Sequence, residues 1–175
     1  MRRAAAAAAM VVAVGATVAA CGQEIDGMAI AEGAYTGNTE RFSRVLEECD
    51  AVTEEQIAEA VGADAINKAF LGAICRWDAS GVGGTIKVAF NWFETGTLGA
   101  EETTAQNLGY GIEAITIQGR RAIVMRPPTE PGACGVSLGS PSDGVVGWWV
   151  HYGAGGSDPC GAAIKLAELT VNLSA

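Results

Sequence analysis

Hydrophobic residues recur at helical spacing in several stretches of the chain, with signals for where each helix begins or ends. The clearest start is Thr53-Glu54-Glu55-Gln56, which has the form of a capping box before the apolar residues Ile57 and Val61. Asp158-Pro159 is typical of another start, a capping carboxylate followed by proline in the first turn. Helices are predicted over residues 39–48, from Thr53 to Gly62, over 64–70 as a short turn, over 99–109 with Leu108 on its apolar side, and from Asp158 onwards.

Between these stretches apolar and polar residues alternate, which is the period of a β-strand. In the clearest strand Ile86, Val88, Phe90 and Trp92 share one face, and Lys87 and Asn91 share the other. Further strands are predicted from Ala73 to a glycine turn at 81–84, over 112–118 and 121–126 as a hairpin about Gly119, over 134–138, and over 146–152. Antiparallel hairpins between terminal helices predict an α+β fold, a twisted antiparallel β-sheet packed against N- and C-terminal helices.

The first twenty-one residues have a different pattern, a basic start followed by a long uncharged stretch. Arg2 and Arg3 precede residues 4–20, which carry no charge and end in small side chains. This is the layout of a secretory signal peptide. Val18-Ala19-Ala20-Cys21 resembles the lipobox of bacterial lipoproteins, in which the cysteine receives a diacylglyceryl group. We therefore expect export and lipidation at Cys21; an uncleaved transmembrane anchor, or free secretion with an accidental Cys21, are the alternatives.

The rest of the chain divides into a tether and a domain. Four glycines interrupt residues 22–38, so residues 21–38 are interpreted as the lipidated cysteine and a flexible tether, and residues 39–175 as one globular domain. Removing residues 1–20 takes away two arginines and changes the formal net charge from −9 to −11. An acidic domain argues against binding to nucleic acid and against electrostatic binding of a polybasic segment to anionic lipid. The membrane contact expected here is therefore the covalent lipid, on the outer face of the plasma membrane.

Four cysteines follow Cys21, namely Cys49, Cys75, Cys134 and Cys160. An even number in an exported protein predicts two disulfides. Three connectivities are possible, and Cys49–Cys75 with Cys134–Cys160 is favoured because each pair joins neighbouring elements of the chain. The cysteines form no C-x-x-C pair and the chain has one histidine, so no metal site or cofactor is predicted.

An ordered set of short motifs resembles a known family. These are the lipobox, Cys75-Arg76-Trp77, Phe90-Asn91-Trp92-Phe93, Gly119-Arg120-Arg121-Ala122, Cys134-Gly135-Val136 and Asp158-Pro159-Cys160. In this order they resemble the mycobacterial lipoprotein LprB and its actinobacterial relatives, whose domain has no known function. The resemblance implies a lipid-anchored envelope protein with paired cysteines and carries over no catalytic residue. More loosely, the order of elements is similar to the PsbP-like fold, whose members act mainly in assembly or binding.

The sequence contains no recognisable catalytic set. His151 could act as a general base, but a surface histidine on a strand is the simpler interpretation. No serine lies in a G-x-S-x-G context, and Glu54-Glu55 and Glu101-Glu102 fit helix starts better than an acid–base pair.

Two groups are candidates for a partner surface. Phe93 and Trp149 alternate away from the face that helices should cover, and Arg120, Arg121 and Arg126 form the one dense basic group. The leading hypothesis is a non-enzymatic envelope lipoprotein that binds a protein, a lipid or a glycan through these residues. The alternatives are a carrier of an apolar lipid between sheet and helices and, third, a hydrolytic or redox enzyme.

Overall fold

The chain contains three helices and seven strands in the part that the structure, a computed structural model, describes. That part is residues 49–50, 52–69, 74–82, 84–140, 143–153 and 158–172. The helices are α1 (Glu54–Val61), α2 (Leu98–Asn107) and α3 (Pro159–Asn172). The strands are β1 (Ala65–Lys68), β2 (Ile74–Gly81), β3 (Gly84–Phe93), β4 (Gly111–Ile117), β5 (Arg120–Arg126), β6 (Ala133–Gly139) and β7 (Val145–Tyr152). The predicted signal peptide, lipobox, tether and helix over 39–48 lie outside the described residues.

All seven strands belong to one antiparallel sheet in the order β1-β2-β3-β7-β6-β5-β4. Strands β2 and β3, β4 and β5, and β6 and β7 form the hairpins that the alternating pattern predicts. The pairing of β3 with β7 joins the β1–β3 part of the sheet to the β4–β7 part. The predicted α+β class, with helices packed against an antiparallel sheet, is confirmed.

Helix α1 begins and ends where its sequence signals predict. The Thr53 side chain accepts a hydrogen bond from the Gln56 amide at 3.3 Å, and the Gln56 side chain accepts one from the Thr53 amide at 3.0 Å. Gly62 then adopts a left-handed conformation with φ of 67°, which suits glycine and ends the helix. Ile57 and Val61 are the buried residues of this helix.

The helical turn predicted over residues 64–70 is wrong. Ala65–Lys68 forms the edge strand β1, whose Ile66 lies opposite Ala79 and whose Asn67 lies opposite Asp78 of β2. A single isolated turn of helix is costly to nucleate, whereas an extended segment pairs with the free edge of β2. Tertiary pairing therefore decides the conformation of this short segment.

Helices α1 and α3 cover one face of the sheet, which holds the main core. On this covered face the Trp148 ring lies 5.6 Å from the Trp77 ring and 4.9 Å from the Phe90 ring, between centroids. Two hydrogen bonds fix the layer: the Trp148 indole donates to Thr170 Oγ1 at 2.8 Å, and the Tyr152 hydroxyl donates to the Val61 carbonyl at 2.9 Å. The side chains of this layer are therefore buried against one another.

Helix α2 packs on the opposite face, mainly over β4, β5 and β6. Its Ala105 is buried with Ile123 and Met125, and partly buried Trp149 lies beside them. The placement of Leu108 on the apolar side is wrong, since Leu108 follows the helix and is 57% exposed. Among the described residues α2 covers only part of this face, and the half formed by β2, β3 and β7 has no helix over it.

Two disulfides connect helical segments to the sheet. Cys49, before α1, is bonded to Cys75 of β2 with a Cα–Cα distance of 5.7 Å. Cys134 of β6 is bonded to Cys160 of α3 with a Cα–Cα distance of 5.1 Å. These are the two pairs that the sequence favours. Among the described residues no helix has the length and apolar character needed to cross a membrane.

Candidate functional site

The open half of the second face forms a groove with a volume of about 730 Å³. We call it the open-face groove. Strands β2, β3 and β7 form its floor, and α2 with the segment after β5 forms one side. Small-molecule sites usually measure about 300–1,000 Å³, so the groove has the size of a ligand site.

The register of the sheet places the floor residues in three rows. The middle row runs from Arg76 through Ala89 to Trp149. On one side of it lies the row Asp78–Lys87–His151, and on the other side lies the row Ile74–Asn91–Gly147. The small Ala89 stands between the larger Arg76 and Trp149 in the middle row.

Trp149 stands at the boundary between the groove and the half covered by α2. Its ring meets the Tyr110 ring edge-on, with centroids 5.9 Å apart. On β6 below it lies Gly135, where an added Cβ would come within 2.5 Å of the Trp149 ring. Real Cβ atoms do not approach so closely, so glycine at this position is what allows the indole to lie against the sheet.

Phe93 lines the same groove and is 44% exposed. The structure therefore brings together the two aromatic residues that the alternation placed on the face away from the main core. Trp149 is half-buried because Tyr110 and α2 shield one side of it. Together they give the groove aromatic surface that solvent can reach.

Asn91 gives the groove a buried polar group. It is 7% exposed, and its Oδ1 atom has no hydrogen-bond partner in the described structure. The fully buried Ser137, two strands away in the same row, likewise has an unpartnered Oγ. Gly147 separates them, and an added Cβ there would lie 2.8 Å from Asn91 Oδ1 and 3.0 Å from Ser137 Oγ. Buried polar atoms are nearly always hydrogen-bonded, so this row is an unusual feature.

The charged side chains around the groove have both signs. Arg76 and Lys87 are the cations, and Asp78, Glu101 and Glu130 are the carboxylates. His151 also lines the groove, with its Nδ1 atom 3.8 Å from a Glu130 oxygen and about half of its side chain exposed. The groove therefore carries charges of both signs on a lining that is otherwise largely apolar, and it is not a strongly basic or acidic site.

The arginine hairpin lies apart from the groove. Arg121 pairs with Glu102 of α2 at 2.7 Å, and Arg126 pairs with Glu113 of β4 at 3.1 Å. Arg120 is exposed beside the β4–β5 turn. None of the three is among the described residues that line the groove. The structure thus separates the arginines from Phe93 and Trp149, and two of the three positive charges are compensated.

The sequence pattern singled out part of this site and missed the rest. Phe93, Trp149 and His151 were candidates, whereas Arg76, Ala89 and Asn91 were not. The alternation of apolar and polar residues in β3 predicts that Lys87 and Asn91 lie on the face away from the core. This alternation is the sequence signal that could have identified Asn91 as a residue of the site. Within the described residues, no three His, Cys, Asp or Glu side chains are grouped so as to hold a metal ion.

Comparison with protein families gives one finding. A family profile with the description "Protein of unknown function (DUF3558)" matches residues 16–173. No curated protein and no solved structure matches the chain. The matched range includes Cys21, both disulfides and all the described elements, and it confirms the expectation of a domain of unknown function.

Proposed function

Since the chain belongs to DUF3558, a family of proteins of unknown function, we propose from its geometry that it is a lipid-anchored, non-enzymatic binding module of the cell envelope. In this proposal Cys21 carries the lipid, and the open-face groove holds the ligand or partner. The observation that carries the proposal is the groove itself. It combines exposed aromatic surface with an unpartnered buried amide on one rigid sheet.

The anchor rests on the N-terminal pattern. Two arginines, an uncharged segment and Val18-Ala19-Ala20-Cys21 support export and lipidation, and the family match begins before Cys21. Lipidation contributes about 0.8 kcal/mol for each buried methylene, and two acyl chains are enough for stable anchoring. A closer relationship to the LprB lipoproteins, and a PsbP-like assembly role, are finer parts of the same proposal.

A binding role fits the groove better than a lipid carrier with a cavity between sheet and helices. In the described residues of that layer Trp77, Trp148 and Leu166 are almost completely buried against their neighbours. The open-face groove lies on the other face of the sheet, and charged side chains are part of its lining. An acyl chain would leave these polar groups without water, which is unfavourable.

Catalysis has one feature in its favour, the position of His151 beside Glu130 in the groove. A carboxylate can orient a histidine that acts as a general base. At 3.8 Å, however, the two atoms are too far apart for a hydrogen bond, and both side chains are about half exposed. The binding role therefore remains the one that the geometry supports best.

The test is a native co-purification of the full chain from its own envelope, followed by protein, lipid and glycan analysis. The double variant Phe93→Ala/Trp149→Ala is compared with the control Leu108→Ala, which removes an exposed apolar side chain that does not line the groove. We expect the double variant to lose a component that the wild type and the control retain. If all three recover the same components, the groove is not the binding site.

A further inference from the structure

We propose that the open-face groove binds a neutral saccharide, and this inference rests on the proposed function. The ligand is an uncharged oligosaccharide that presents an apolar ring face and an edge of hydroxyl groups. Three properties of the groove favour such a ligand: its aromatic surface, the unpartnered amide of Asn91, and the balance of its charges.

The side chains match the two kinds of surface on a sugar ring. Trp149 and Phe93 offer flat apolar surface for the C–H face of a pyranose or furanose. Asn91 lines the groove and its buried Oδ1 atom has no partner, so a small movement of this side chain lets the oxygen accept a hydroxyl hydrogen from the ligand. The volume of about 730 Å³ suits a di- or trisaccharide. A ligand hydroxyl would satisfy a buried polar atom that is otherwise costly to leave unpaired.

An extended peptide fits this site less well. Peptides commonly bind to sheets by adding a strand to an unpaired edge, where backbone groups are free. Strands β3 and β7 are paired on both sides, and β1 pairs with Trp77–Ser80 of β2, so most of the floor of the groove has no such edge. Recognition at the groove must therefore use mainly side chains, which suits a ligand rich in hydroxyl groups.

A polyanion or a lipid tail fits less well too. The two cations that line the groove stand beside three carboxylates, and the whole chain has a formal net charge of −9. A polyphosphate or an anionic headgroup would meet these carboxylates, which is electrostatically unfavourable. An acyl chain would cover the charged floor residues without replacing their water. A neutral ligand with many hydroxyl groups meets neither difficulty.

Neutral oligosaccharides of glucose, mannose, galactose, arabinose and N-acetylglucosamine are titrated into the full chain in detergent. Calorimetry measures the binding of each one. Asn91→Leu replaces the amide with a side chain of the same branching and no polar atom, and Ala89→Phe fills the centre of the floor. Ser137→Ala is the matched control, because it removes the other unpartnered buried polar atom in the same row but does not line the groove. Thermal unfolding of each variant checks that it is folded.

We expect at least one member of the panel to bind. Asn91→Leu then weakens binding about tenfold, the effect of one lost hydrogen bond, Ala89→Phe abolishes it, and Ser137→Ala leaves it unchanged. If Asn91→Leu does not fold, Ala89→Phe carries the test. Binding that persists in Ala89→Phe overturns the inference, because the sugar then lies elsewhere.

Failure of this inference can be told apart from failure of the proposed function. If no saccharide binds, but Phe93→Ala/Trp149→Ala loses a protein from the envelope co-purification, the saccharide inference is wrong and the groove is a protein-binding site. If no saccharide binds and the double variant loses nothing, both the inference and the proposed function are wrong.

Discussion

At the scale of the residue, two glycines give the second face of the sheet its shape. Gly135 leaves room for the Trp149 ring, and Gly147 leaves room for Asn91 and Ser137. Each lies inside a strand, where glycine weakens the strand because it has no side chain to pack. Their presence there is explained by the side chains that lie over them.

We predict that Gly135→Ala displaces Trp149 and destabilises the domain by about 1–3 kcal/mol, the usual cost of inserting atoms into a packed site. Gly139→Ala on the same strand is the control, because an added Cβ there meets nothing within 4 Å and the backbone does not require glycine. Denaturant unfolding monitored by tryptophan fluorescence measures both variants. Equal stabilities would contradict this account of Gly135.

Tyr152 leads to a prediction about alkaline pH. Burial, and second the nearby Asp158 carboxylate, raise the pKa of Tyr152 above its ordinary value. The folded chain therefore holds the phenolic proton more tightly than the unfolded chain. The protonated Tyr152 phenol therefore stabilises the folded state. This stabilisation is fully present below the unfolded pKa of about 10 and is lost as pH rises through the folded pKa.

Tyr152→Phe should be about 1 kcal/mol less stable than the wild type near neutral pH, because the hydrogen bond to the Val61 carbonyl is lost. The difference should shrink as pH rises above about 10, where the wild type loses the contribution of the phenol. Denaturant titrations at a series of alkaline pH values measure it. Tyr110→Phe, which leaves Tyr152 in place, should retain the alkaline decline. A difference that stays constant with pH would show that the Tyr152 proton does not contribute.

At the scale of the element, the sequence predicts those structures whose signals are local. The capping box at Thr53, the left-handed Gly62, and Asp158 before α3 are complete within a few residues, and each is found in the structure. Gln118 and Gly119 both have positive φ and turn the β4–β5 hairpin where the pattern places it. Local hydrogen bonds determine these features, so no distant contact is needed to predict them.

The elements that were missed depend on distant contacts. β1 is a strand because the edge of β2 is free to pair with it, which a four-residue segment cannot reveal. Helix α2 has Ala105 as its one buried residue, so its sequence does not show which strands it covers. The open half of the second face, and with it the groove, follows from that position and could not be predicted from the sequence.

The two disulfides are matched in loop length, since each joins residues 26 positions apart. In the chain-entropy model, closing a loop of this size stabilises a protein by about 3–4 kcal/mol. We predict that Cys49→Ala/Cys75→Ala and Cys134→Ala/Cys160→Ala each lower the free energy of unfolding by about this amount. Denaturant unfolding under non-reducing conditions measures both. A pair whose removal changes stability by less than about 1 kcal/mol would contradict a structural role for that disulfide.

At the scale of the whole molecule, the two faces of the sheet have different roles. The covered face holds the stacked tryptophans and both terminal helices, and it supplies stability. The other face is covered over half its width, and its open half carries exposed aromatic and polar groups. This division fits a protein in which one layer builds the scaffold and the other meets a ligand.

The proposed anchor predicts where the full chain is found. The wild type should be recovered in the membrane fraction with a mass that corresponds to cleavage before Cys21 and a diacylglyceryl group. Cys21→Ser cannot form the thioether, so this variant should carry no lipid and should keep residues 1–20 uncleaved. Mass spectrometry of both proteins decides this. If the wild type carries no lipid, the proposed anchor is wrong.

The central claim, that the open-face groove meets an envelope component, can be tested in intact cells by photo-crosslinking. Photo-reactive benzoylphenylalanine takes the place of Phe93 at the groove in one variant and of exposed Leu108 in the other. We predict a light-dependent adduct from position 93 and none from position 108. No adduct at 93, or the same adduct from both positions, would contradict the claim.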